Sequence, residues 1–133
     1  MATNHPTDQY RQRAVRHEAR ARNYRRQANL LLERDDDTDC AGALLYESAK
    51  QCINAVANQR GRNPGTTGGK VSVVRELAQE DPSDTSLMPN WQRADRLHIH
   101  ADRGNLNAIE YAEAWEQAQA FVESMLNIYA RNA

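Results

Sequence analysis

The densest chemistry in the chain lies just after Trp91, where Arg93, Arg96, His98, His100 and Arg103 share one short segment. Guanidinium groups are permanently charged forks that match phosphate oxygens, and an imidazole ordinarily titrates near neutral pH. Such groups can hold a phosphate. With a base beside a 2′-hydroxyl and cations around the phosphorane, they can also cleave RNA without a metal. At about 100° per residue, a helix places Arg93, Arg96, His100 and Arg103 within an arc of about 80°, and these four form the candidate binding set. His98 points about 140° away from Arg93, toward the side of Trp91 and Ala94. A regular helix therefore predicts that His100 shares the cationic face and that His98 is structural. The blander alternative is a solvated face whose arginines pair with Asp95, Asp102 or acids on other helices.

Other constellations are weaker. Gly65-Thr66-Thr67-Gly68-Gly69-Lys70 is Gly-rich, but Pro64 replaces the first glycine of a phosphate loop and Val71 the hydroxyl residue after the lysine. It also follows a predicted helix rather than a strand, so the nucleotide-loop reading is rejected, leaving only weak anion binding at a helix start. None of the four histidines has a Glu three positions before it, as a di-iron bundle needs. His98 and His100 would splay to opposite sides of a helix and chelate poorly. No metal and no cofactor is expected. Glu110, Glu113 and Glu116 form a row read as a solvated face or a contact for the Arg-rich first helix. His17 reads as a buried, hydrogen-bonded core histidine, and His5 carries no assignable role. Cys40 and Cys52 are too far apart on one helix to bridge, and read as buried reduced thiols.

Five helices must position these groups, and no strand alternation is evident. The first runs from about Thr7 to Glu33, with Tyr10, Ala14, His17, Ala21, Tyr24, Ala28 and Leu31 on its seam. The acidic stretch from Asp35 to Asp39 then makes a loop and caps the second helix, about Asp39 to Gln59, whose apolar face is Leu45, Ala49, Cys52 and Val56 with Tyr46 and Ile53 beside it. A short third helix, about Lys70 to Gln79, offers Val71, Val74, Leu77 and Ala78. The fourth, about Ser86 to Arg103, carries Leu87, Trp91, Ala94, His98 and Ala101, with Leu97 flanking. The fifth, about Asn107 to Ala130, carries Tyr111, Trp115, Ala118, Val122, Met125 and Tyr129. Four long helices and one short one predict an all-α, up-and-down bundle, with 1–133 as a single domain.

Composition sets outer limits. The chain has 133 residues and a formal net charge of −1, which argues against a general nucleic-acid coat. Its arginines are uneven: residues 1–34 hold Arg11, Arg13, Arg16, Arg20, Arg22, Arg25, Arg26 and Arg34 against Asp8, Glu18 and Glu33. That set spreads around the first helix, with Arg13, Arg16 and Arg20 on one side, and lacks aromatic interleaving, so sequence-specific RNA reading is not expected. No apolar run is long enough to span a membrane, and the polar start carries no signal peptide, so a cytoplasmic location is expected. The seams are rich in Ala and poor in large apolar groups. So thin a core predicts a homodimer that buries further surface.

Three stretches resemble the HEPN superfamily (higher eukaryotes and prokaryotes nucleotide-binding). They are Ala43-Leu44-Leu45-Tyr46-Glu47-Ser48-Ala49-Lys50-Gln51-Cys52-Ile53-Asn54-Ala55, the segment Ala94-Asp95-Arg96-Leu97-His98-Ile99-His100-Ala101-Asp102, and the final helix around Phe121-Val122-Glu123-Ser124-Met125-Leu126. Many relatives carry Asn-Phe-Tyr where this chain has His100-Ala101-Asp102. The resemblance implies a dimeric bundle of about five helices. It also implies one of two roles: a non-catalytic module that binds a nucleotide or RNA, or a metal-independent ribonuclease of toxin type. In either role the implied protein partner is nucleotidyltransferase-like. The catalytic branch has an Arg, four to six residues and then a His, often with a polar residue after the Arg. Arg93 reaches His98 or His100 at those spacings, but Ala94 follows it. The expectation is thus a non-catalytic HEPN-like binding module, the alternative an endoribonuclease using Arg93 with His98 or His100. The family pattern singles out His98 where the helical wheel singles out His100.

Overall fold

Each boundary between helices is written in a local hydrogen bond. A computed structural model describes residues 6–133 and contains α1 (Pro6–Asp35), α2 (Thr38–Gln59), α3 (Thr67–Glu80), α4 (Leu87–Arg103) and α5 (Ala108–Arg131). No strand occurs among the described residues, and His5 lies outside them. The acidic loop is shorter than expected, because α1 continues through Asp35 and only Asp36 and Asp37 separate it from α2. The Asp37 carboxylate accepts the Cys40 N–H at 3.1 Å and caps α2. Thr66 caps α3 by accepting from the Gly69 N–H at 3.0 Å. Asn107 and Glu110 exchange side-chain and backbone bonds in a capping box that starts α5. Gly69 has no alternative: a Cβ there would sit 2.2 Å from the Pro64 carbonyl oxygen. Among the described residues no helix is long and apolar enough to cross a membrane.

Side-chain contacts fix the topology. Ser48 Oγ donates to the Ala21 carbonyl at 2.6 Å, and His17 Nδ1 lies 2.5 Å from Gln51 Oε1, so α1 and α2 run antiparallel. The Tyr111 hydroxyl donates to the Thr38 carbonyl at 2.5 Å, and Gln59 Nε2 donates to the Tyr129 carbonyl at 3.0 Å, so α2 and α5 run parallel. Arg25 reaches Glu123 at 2.7 Å and Gln119 at 2.8 Å, tying the outer helices α1 and α5. Four long helices thus alternate in direction around one core, and α3 leans on the end of α2 through Arg60 with Glu80 and Arg62 with Glu76. The all-α bundle expected from the periodicity is the observed architecture.

The α1 seam works through small residues. Ala14, Ala21 and Ala28 are essentially inaccessible while the flanking Tyr10, His17, Tyr24 and Leu31 are only half-buried. Seven-residue spacing keeps one line turned to α2, and methyl side chains let the two backbones approach closely. The centre is supplied elsewhere, by Leu45, Ile53, Val56, Leu97, Phe121, Val122 and Met125. On α3 the buried residues are Val73, Val74 and Leu77, so Val73 takes the place expected for Val71. Cys52 is buried and its thiol is pushed up to about 12, mainly by burial. Cys40 corrects the expectation of two buried thiols, because it is exposed on the first turn of α2.

Candidate functional site

Helix α4 presents the candidate residues, and its packing decides which of them face outward. Its buried residues are Leu87, Trp91, Ala94, Leu97 and His100. From Trp91 onward the seam advances in steps of three, not in the alternating threes and fours that would have buried His98 and Ala101. Leu97 and His100 thereby take the buried side that His98 and Ala101 were expected to fill. The wheel-derived orientation of the two histidines is therefore corrected. His100 turns inward and His98 outward.

His100 is built into the α4–α5 turn. Its residue is 9 % exposed. Nδ1 accepts the Leu106 N–H at 2.9 Å, which places the neutral ring's proton on Nε2, 3.4 Å from Asp39 Oδ1. The ring meets Tyr111 edge-on, with centroids 5.5 Å apart. Gly104 then turns the chain with φ 59° and donates its N–H to the His100 carbonyl at 2.7 Å. The inclusion of His100 in an open cationic set is thus corrected: both ring nitrogens face groups of this chain. Tyr111 itself is held well above the usual phenol range by burial, with Asp39 and Asp37 adding to the effect.

His98 caps an aromatic column. Phe121 packs on Trp91 at 5.6 Å, Trp91 stacks on Tyr46 at 5.7 Å, and Tyr46 stacks on His98 at 4.3 Å. His98 is exposed, so the column runs from the core to the surface. Lys50 sits over the Tyr46 ring at 5.2 Å and pairs with Glu47 at 2.9 Å. Burial raises the Tyr46 hydroxyl pKa, with smaller pushes from Asp95 and Glu47. On the wheel, Asp95 and Asp102 flank His98, so its side of α4 is acidic.

The arginines keep the other side. Arg96 and Arg103 are exposed and Arg93 is half-buried. They share an arc of about 80°, roughly 140° or more from His98 in its narrower direction. Among the described residues no carboxylate lies within 4.0 Å of any of the three, whereas Arg22, Arg25, Arg60 and Arg62 are each paired. The expected pairing with Asp95 or Asp102 does not occur. A single chain therefore offers three unpaired guanidinium groups on one stripe and an imidazole on another. It does not bring Arg93 and His98 to a common phosphate.

Two features escaped the sequence. The Tyr46–His98 stack depends on the crossing of α2 and α4, which no single-helix pattern encodes. The other is a cavity of about 620 Å³ among Tyr10, Val15, Asn58, Gln59 and Tyr129, at the end of the bundle away from the α4–α5 turn. Asn58 was overlooked because an amide at the end of an apolar face reads as solvated, yet it is 1 % exposed and donates Nδ2 to the Asn54 carbonyl at 2.7 Å.

Compared with protein-family models, with curated proteins and with solved structures, the chain matches none.

Proposed function

We propose that this chain is a non-catalytic, HEPN-like module that binds a nucleotide, or the phosphates of RNA, through Arg93, Arg96 and Arg103. The observation that carries this reading is the unpaired state of three guanidinium groups on one stripe of α4. An arginine without a carboxylate keeps its full hydrogen-bonding fork for an incoming anion, and a phosphate supplies the matching geometry. His100 does not belong to the binding group in this reading. It holds the turn that ends the helix, and so sets where Arg103 leaves it.

Catalysis is not part of the reading. A ribonuclease needs its base and its cations around one phosphate, within hydrogen-bond reach. His100 is committed to Leu106 and faces Asp39, and His98 leans on Tyr46 among acids. The resemblance to HEPN proteins rests on the three sequence stretches and on the shared number of helices. A nucleotidyltransferase-like partner follows from that resemblance alone.

The test is thermal denaturation with and without ATP. A ligand that binds only the folded state raises the melting temperature, by an amount equivalent to about 2.7 kcal/mol at a hundredfold excess over Kd. Wild type should show the rise, and the Arg96→Glu variant should lose it while melting normally without ligand. An equal rise in both proteins would remove α4 as the site.

A further inference from the structure

The arginines of α1 divide into two groups that the sequence alone mixed together. Arg11, Arg22 and Arg25 pair with Asp8, Glu18 and Glu123, and Arg26 donates to the Asn23 side-chain oxygen at 2.5 Å. Arg13, Arg16, Arg20 and Arg34 are exposed, and among the described residues none has a carboxylate within 4.0 Å. On the wheel these four fall within an arc of about 60°, centred about 110° from the Ala14, Ala21 and Ala28 seam. Asn23 and Gln27, both exposed, fill the interval between Arg20 and Arg34 on the same line. The acids of α1 lie off this line: Asp8 pairs with Arg11, Glu18 points toward Arg22, and Glu33 and Asp35 each lie about 100° from Arg34. The result is an acid-free row of hydrogen-bond donors about 32 Å long, at 1.5 Å per residue.

We infer that this outer line of α1 is a contact surface for the sugar-phosphate backbone of RNA. A linear, regularly charged polyanion fits a linear row of cations better than a point anion does, and guanidinium forks bind phosphate oxygens bidentately. The Gln27 amide both donates and accepts, as a 2′-hydroxyl requires of its partner, while Asn23, whose carbonyl oxygen accepts from Arg26, keeps its amide N–H groups as donors. The Tyr10 ring beside the row already faces the Arg13 guanidinium, 5.4 Å from its centroid, and Tyr10 and Tyr24 are both half-buried, so the contact is made to the backbone and is independent of sequence. Val15, the one large apolar residue exposed on α1, lies on a different side of the helix, so the row has no apolar edge for entering a lipid surface. This surface is separate from the α4 stripe and stands without it.

The test is fluorescence anisotropy with a fluorescein-labelled oligouridylate long enough to span the row. Wild type should bind with an affinity that falls steeply as salt rises. The Arg13→Gln, Arg16→Gln, Arg20→Gln triple variant should bind about tenfold or more weakly, with the salt slope reduced by about 2 for three lost phosphate contacts. These side chains are exposed, so its melting temperature should match wild type. Should the triple variant unfold, Arg16→Glu alone should still weaken binding. Neutralising Arg75, an exposed arginine of α3 outside both surfaces, should leave this affinity unchanged and serves as the charge control. The inference is overturned if wild type does not bind, if the α1 variants bind as wild type does, or if the Arg75→Gln control loses as much binding as they do. It is equally overturned if oligothymidylate or polyglutamate displaces the RNA as readily as unlabelled oligouridylate does.

Discussion

Replacing His100 with Ala tests most sharply how α4 is oriented. Three contributions disappear together. The Leu106 N–H, 2.9 Å from Nδ1, loses its acceptor in a part-buried turn, at a cost of about 1–3 kcal/mol. The edge-on contact with Tyr111 is lost, at about 0.5–1.5 kcal/mol. Removing most of a nearly buried ring also leaves a void that neighbours refill only partly. The sum is about 2–4 kcal/mol, or roughly 8–15 °C in melting temperature for a domain of this size. The same truncation at His98 removes only an exposed stack on Tyr46 and should cost about 1 kcal/mol or less. His100→Asn supplies a carbonyl oxygen near the position of Nδ1 and should recover part of the loss. Urea denaturation of the three variants followed by circular dichroism gives the comparison. A His98→Ala protein less stable than His100→Ala would refute the inward placement of His100, and so would equal stability of His100→Ala and wild type.

Further outcomes follow from the same contacts. Ser48→Ala should cost about 1 kcal/mol by equilibrium unfolding, since the buried bond to the Ala21 carbonyl goes while that carbonyl keeps its helical partner. Gly69→Ala should destabilise by more than an ordinary exposed helix substitution, because Pro64 must move to admit a methyl group, and a melting curve shows this directly. A native-state thiol assay should count one reactive cysteine, Cys40, with Cys52 reacting only in denaturant. Because the Asp37 carboxylate raises the Cys40 thiol pKa through a hydrogen bond and its charge, its alkylation rate should rise with pH later than that of free cysteine. Light scattering on the purified chain checks the homodimer expected from the thin core. The predicted mass is twice the 15.1 kDa of one chain. Among the described residues Val15 and Ile109 are the large exposed apolar side chains, and a monomeric mass would remove the homodimer expectation.

The helices were legible because their signals are local. The Ala14, Ala21, Ala28 line and the Leu45, Ala49, Cys52, Val56 face each repeat at helical spacing, and the acidic stretch before Cys40 marks the start of α2. What failed was tertiary. A seam of alternating threes and fours and a seam of threes differ only in how one helix crosses another, and Trp91 with Ala94 begins both. The choice fell to Leu97, which enters the core and carries His100 in with it. Gly104 does mark the left-handed end of the helix, but the bond from the Leu106 N–H to the His100 ring is not encoded in that signal. Cys40 was misplaced for a similar reason, because its helix is buried only from Ala41 onward. The arginines of α4 were placed correctly relative to one another, since that depends on helix geometry alone. Their freedom from ion pairs was not readable, because it depends on where every acid of the other helices points.

The most direct measurement of the central claim is a nitrogen-15 correlation spectrum of the wild-type chain titrated with ATP. Saturable shifts should concentrate on the backbone and guanidinium signals of Arg93, Arg96 and Arg103, with the Leu106 amide perturbed little. A spectrum unchanged at millimolar nucleotide, or one whose shifts gather on another helix, would contradict the assignment of α4 as the binding face.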